Sequence, residues 1–148
     1  MISQSQVIPH ETTTPGKLAL WFPVIAWGIL ISVLSTSAFS ADNTARFINP
    51  ILQWLVPGIT ASSMSVCNFL VRKSAHFTEY AALFWLLVRG PMARRPYAAL
   101  ALCVIYAMLD EGHQMFVQGR TASLYDVALD SSGALFSNFL KLTIAELA

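Results

Sequence analysis

The sequence predicts an all-α fold, a polytopic membrane protein built as a compact four-transmembrane-helix bundle. Three observations carry this: a shortage of charge, long apolar runs separated by turn signals, and polar residues recurring at helical spacing near the run ends. Of 148 residues, 55% are hydrophobic and only 11% charged, whereas a soluble domain carries about 25% charged residues. Mean hydropathy is +0.57. The length suits one domain. A net charge of +1, with no basic stripe and interleaved aromatics, gives no case for nucleic acid. There is no Gly-rich phosphate loop and no internal repeat. Cys67, in an expected loop, and Cys103, in an apolar run, are placed too differently for a disulfide, which needs Cα atoms within about 7 Å. Both read as free thiols.

Residues 1–16 are polar, with Pro9 and Pro15, and read as a flexible tail. Residues 17–145 then form one transmembrane domain. The first helix is expected over about 18–39, long enough at about 1.5 Å per residue to cross a core of about 30 Å. Pro23 lies in its first turns, where a missing donor does little harm. Gly28, Ser32 and Thr36 recur at i+4 and give the helix one small face, which lets transmembrane helices approach closely. Lys17, the apolar run and Ala38-Phe39-Ser40-Ala41 also resemble a cleaved signal peptide. The run exceeds a typical apolar region of about 7–15 residues, however, so a retained span is expected.

Residues 40–73 read as an outer connector, punctuated by Pro50 and Pro57-Gly58. Within it Ile51–Val56 is too short to span and suits the membrane interface, with Trp54 as anchor. The second helix is expected over 74–88, ended by Arg89-Gly90-Pro91. Lys73, His76 and Glu79 fall within an arc of about 120°, with Tyr80 beside them. The third helix is expected over 96–117, with Pro96 at its first turn. Asp110, Glu111 and Gln114 share an arc of about 100° near its end. The fourth is expected over 123–144, with Ser123 and Asp126 placed as a capping box. Asp126, Asp130, Gly133 and Ser137 lie within about 60° of one another, a narrow stripe of small and acidic residues.

Basic residues near the run ends orient the chain. Lys17, Arg89, Arg94, Arg95 and Lys141 share one side, hence cytoplasmic, and the protein is expected in the cell membrane with both termini cytoplasmic. The second helix then enters from outside with Lys73, His76 and Glu79. The third reaches the outside with Asp110, Glu111, His113 and Gln114, and the fourth re-enters after Arg120 with Asp126. All lie at one outer level.

Ionisable groups inside spans face the bundle and are functional candidates by default. The catalytic candidates are His76, Glu79, Asp110, Glu111 and Gln114. Glu79 or Glu111 suits a base, if burial separates their ionisation, and His76 a proton partner. The ligand-binding candidates are Lys73, Arg120 and Asp126, with Arg120 as a bidentate anion clamp. Such a pocket suits the anionic headgroup of a membrane lipid. No cofactor is predicted. A divalent metal at His76, Glu79 and Glu111 is a minority alternative, because the spacing permits ligands without specifying them. The competing reading is a charged network that only locks helix mouths together, as a structural or assembly subunit would need.

Two segments carry a family likeness. Lys73-Ser-Ala-His76-Phe77-Thr-Glu79-Tyr80-Ala-Ala-Leu83 resembles the K-x-x-H-F-x-E-Y-x-x-L signature of VanZ-like membrane proteins. Asp110-Glu111-Gly-His113-Gln114-Met-Phe116-Val-Gln-Gly119-Arg120, followed by Asp126 and Gly133, is similar to that family's D-E-x-x-Q-x-F-x-x-G-R-x-x-x-x-x-D motif and following glycine. The chain departs from the pattern at Asp130, where Asn is usual, and at Ser137, often Gly. The Ser-Ser-x-Pro-like end of the first helix is present only as Ser35-Thr36. The resemblance implies an integral membrane protein of the cell envelope. The family's namesake is associated with resistance to the glycopeptide teicoplanin, so a glycopeptide-related target joins the envelope lipid as an expected ligand. It does not supply a reaction.

Overall fold

A computed structural model describes residues 16–147. Among these the chain is all helical: α1 Lys17–Leu34, a short 3-10 turn Ser37–Phe39, α2 Ala41–Leu55, α3 Ala61–Arg89, α4 Pro96–Gln114 and α5 Leu124–Leu147. One helix, α1, is long and apolar enough to cross a membrane by length and composition. The expected tail lies almost wholly outside the described residues.

Several boundaries move, each for a local reason. The first helix stops at Leu34 rather than running to Phe39, because Thr36 and Ser40 are extended and the carbonyls of Leu34 and Thr36 are taken by Arg120. The segment expected as an outer connector carries α2 and the first half of α3. Thr60 caps α3, its Oγ1 accepting from the Ser63 amide at 3.2 Å. Residues 61–73, a mixture of apolar and polar side chains, are helical, so α3 starts well before Ser74 and includes Cys67. The helix expected to Val117 ends at Gln114. Gly119, at φ +77°, then takes a left-handed turn that suits glycine.

The helix α3 is the centre of the bundle, packing against each of the other four. Its 29 residues make it about 43 Å long. Its lower part contributes Tyr80, Leu83, Phe84, Leu87 and Val88 to the core. Its partner helix α4 presents Ala99, Cys103 and Ala107 to that core, a small residue every fourth position, which lets the helices close up. The tightest contact is between α3 and α5. A Cβ added at Gly133 would stand 2.2 Å from the Phe77 carbonyl oxygen, so only glycine fits there. Lys73 meets Asp126, His76 meets Asp130 and Phe77 meets Gly133, so the two helices run parallel. An intervening antiparallel α4 produces that arrangement.

Candidate functional site

The polar residues gather where α1 and α4 finish and α5 begins. Asp110 is the hub of the first group. Its Oδ2 accepts from Ser35 Oγ at 2.7 Å and from Gln114 Nε2 at 2.9 Å. All three residues are buried. Asp110 and Gln114 stand one turn apart on α4, and Ser35 closes the end of α1 onto them. This is what the i, i+4 spacing prepared.

Arg120 joins the same helix ends. Its Nη2 donates to the Leu34 and Thr36 carbonyls and its Nε to the Thr36 carbonyl. The last carbonyls of a helix lack partners within the helix, and a cation there also favours the helix dipole. Gly119 makes this reach possible by its turn and by lying against Ser40, whose Cβ would be 3.5 Å from an added Cβ. The guanidinium is half-buried. Burial, then the nearby Arg72, lowers its ionisation from the ordinary arginine value.

Glu111 serves α5. Its Oε2 accepts the Ser123 amide at 2.8 Å, while Ser123 Oγ accepts the Tyr125 amide at 3.1 Å. The expected capping box therefore does not form. In that motif the acid three residues on would take the Ser123 amide. Here Glu111 takes it from another helix, freeing Asp126 to pair with Lys73.

Deeper on the α3–α5 contact, His76 Nδ1 lies 3.5 Å from Asp130 Oδ1. That is ion-pair range without hydrogen-bond geometry, and neither carboxylate oxygen of the fully buried Asp130 has a hydrogen-bond partner among the described residues. Tyr80 Oη and Glu111 Oε1 are buried and unpartnered in the same way. Glu79 is half-buried and makes no side-chain hydrogen bond among the described residues. The groups acting on it electrostatically are His76, Asp130, Asp110 and Arg120, so it belongs to the same cluster. His113 is exposed and stands apart. Among the described residues no three His, Cys, Asp or Glu side chains converge as a metal site, those of His76, Glu79 and Glu111 included.

Sequence reasoning assigned no site role to Asp130 or Ser35. Asp130 was visible as a member of the α5 stripe, one turn beyond Asp126, and its match to His76 on α3 was the missing signal. Ser35 needed knowledge of where α1 ends. Arg72 was also passed over.

Above this cluster lies a cavity of about 1070 Å3. Its walls are the polar side of α2 (Asp42, Asn49, Gln53), the upper part of α3 (Asn68, Arg72, Lys73) and the start of α5 (Ser123, Asp126). The helix α2 is strongly amphipathic. Phe47, Ile51 and Trp54, at i, i+4 and i+7, face away from the cavity, Phe47 being 76% and Trp54 79% exposed. Asn68 Nδ2 donates to Asn49 Oδ1 at 2.6 Å and holds α2 to α3. Arg72 lines the cavity and has no ion-pair partner among the described residues.

No curated protein and no solved structure matches the chain. The VanZ/LLP1 family model matches residues 20–144. That span runs from the first turn of α1 to near the end of α5 and takes in the Asp110 hub, the Arg120 contacts and the α3–α5 pairs. By that match the chain belongs to the VanZ/LLP1 family.

Proposed function

We propose that the protein is a four-span cell-membrane protein whose outer-leaflet cavity binds the anionic headgroup of an envelope lipid. In this topology α1, the lower part of α3, α4 and α5 cross the membrane, and both termini are cytoplasmic. Support comes from uncovered apolar side chains on several helices. Ile105, Met108 and Leu109 on α4 and Leu135, Phe136 and Phe139 on α5 are all exposed, and apolar patches of that extent mark membrane or partner contact. The acids on α4 and α5 lower their mean hydropathy, yet Asp110, Glu111 and Asp130 turn inward. The apolar side of α2 suits the interface, where Trp54 is an anchor.

The observation that carries the ligand class is the cavity. Arg72, Lys73, Asp42 and Asp126 line it, Asp126 pairing with Lys73 and leaving Arg72 with no ion-pair partner among the described residues. A guanidinium without an ion-pair partner favours a phosphate or carboxylate group. A glycopeptide-related target bearing a carboxylate shares this chemistry.

A second reading has specific support. Lys73, Asp110, Glu111, Gln114, Arg120 and Asp126 each make a contact that joins elements, which is what a structural lock requires. His76 also meets Asp130 across α3 and α5, so Glu79 is the candidate left without such a side-chain contact. Glu79→Gln, Glu111→Gln and Arg120→Lys separate the classes, each measured for folded protein in detergent and for glycopeptide susceptibility or envelope-lipid composition. An enzyme loses the phenotype with Glu79→Gln while staying folded. A binding module keeps it with both Gln variants. A structural subunit loses folded protein with Arg120→Lys, with no separate ligand effect. If all three stay folded and keep the phenotype, the site has no role.

A further inference from the structure

A second hollow runs along the bundle between α1 and α4, with a volume of about 600 Å3. It is within the range of about 300–1,000 Å3 usual for small-molecule sites. Ile29 and Val33 form one wall, Leu102 and Tyr106 the other, and Leu83 and Leu87 of α3 the floor. It exists because α1 packs chiefly on α3 and meets α4 through a polar clasp. Tyr106 Oη donates to the Gly28 carbonyl at 2.6 Å and accepts from Ser32 Oγ at 2.8 Å. These bonds satisfy both hydroxyls within the protein, leaving the groove apolar to its occupant. Trp21 and Val33 both line it, and on α1 the helix rises about 18 Å from one to the other. That exceeds half of a hydrocarbon core of about 30 Å.

We infer that this groove holds one hydrocarbon chain of the anionic lipid whose headgroup occupies the cavity, an inference that rests on the headgroup reading above. Continuity supplies the occupant. The groove ends at Thr36, whose carbonyl accepts from Arg120, and the neighbours of Arg120, Gly119 and Thr121, line the headgroup cavity. The short segment 119–121 therefore borders both spaces, Gly119 and Thr121 lining the headgroup cavity and Arg120 bonded at the mouth of the groove. An unfolded peptide segment would bring unsatisfied backbone groups into an apolar slot, whereas a hydrocarbon chain brings none.

The test uses full-length protein in detergent and two phosphatidylglycerols, one with oleoyl and one with hexanoyl chains, scored by native mass spectrometry. Leu102→Trp and, independently, Ile29→Phe fill the groove. Each is expected to weaken binding of the long-chain lipid about tenfold, or about 1.4 kcal/mol, while leaving the short-chain lipid as in wild type. Arg72→Gln is expected to weaken both lipids. Wild-type binding of the long-chain lipid by both filled variants overturns the groove assignment and leaves the headgroup reading standing if Arg72→Gln still weakens both. Equal binding by Arg72→Gln and wild type overturns the headgroup reading itself. A wild-type dimer lost on filling the groove assigns it to a second copy of the chain and overturns the chain-binding inference.

Discussion

Arg120 shows how a signature residue acquires its position. Gly119 supplies the left-handed turn, and the guanidinium behind it takes carbonyls at the end of α1. A lysine has no planar fork and cannot serve both carbonyls in that geometry. Arg120→Lys is therefore expected to cost about 1–3 kcal/mol, read as a lower melting temperature in detergent. An unchanged melting point would show that these bonds contribute nothing. Gly133 is stricter. Its missing Cβ is what lets Phe77 approach, so Gly133→Leu forces α3 and α5 apart and is expected to cost at least about 3 kcal/mol, measured as loss of folded protein on size-exclusion chromatography. The sequence placed Gly133 on the right face with Asp126 and Asp130, because helical spacing alone fixes that. It could not assign Asp130 to His76, because that pairing depends on the register between two helices distant in sequence.

The contrasting legibility of α2 and α5 follows from what fixes each helix. Apolar residues at helical spacing around a narrow small-and-acidic stripe identify α5, and its start is off by one residue. The α2 helix has Pro50 inside and polar residues on one side, so neither hydropathy nor turn signals mark it. It becomes legible only as an amphipathic surface, with Phe47, Ile51 and Trp54 on one face and Asn49 and Gln53 on the other. The first half of α3 is not legible because Ser, Asn, Arg and Lys interrupt its apolar residues, and with it Arg72 is missed as a cavity residue. The start of α5 is held by Glu111 rather than by its own capping box. Glu111→Gln keeps an acceptor for the Ser123 amide and is expected to hold stability within about 0.5 kcal/mol, whereas Glu111→Ala removes the cap at a cost of about 0.5–2 kcal/mol. Equal melting temperatures for the two variants would show that the cap is not formed.

Across the described residues, buried polar groups gather towards one end and uncovered apolar side chains run along the helices. In the proposed topology that end faces outward. A reporter fused after Ala148 should read cytoplasmic, and one inserted at Gly58, between α2 and α3, should read external. An external signal from the C-terminal fusion would reverse the orientation. The overall helical class and the family were legible because the signatures are local in sequence. The cavity was not, since it is made by α2, the upper part of α3 and the start of α5, which meet only in the folded chain. Arg72, the cavity cation with no ion-pair partner among the described residues, makes the headgroup reading directly measurable. Wild-type protein titrated with phosphatidylglycerol and phosphatidylcholine of identical chains, followed by native mass spectrometry, should bind the anionic lipid about tenfold more tightly, and Arg72→Gln should erase that preference. Equal affinity of the wild-type protein for the two lipids would contradict an anionic headgroup site.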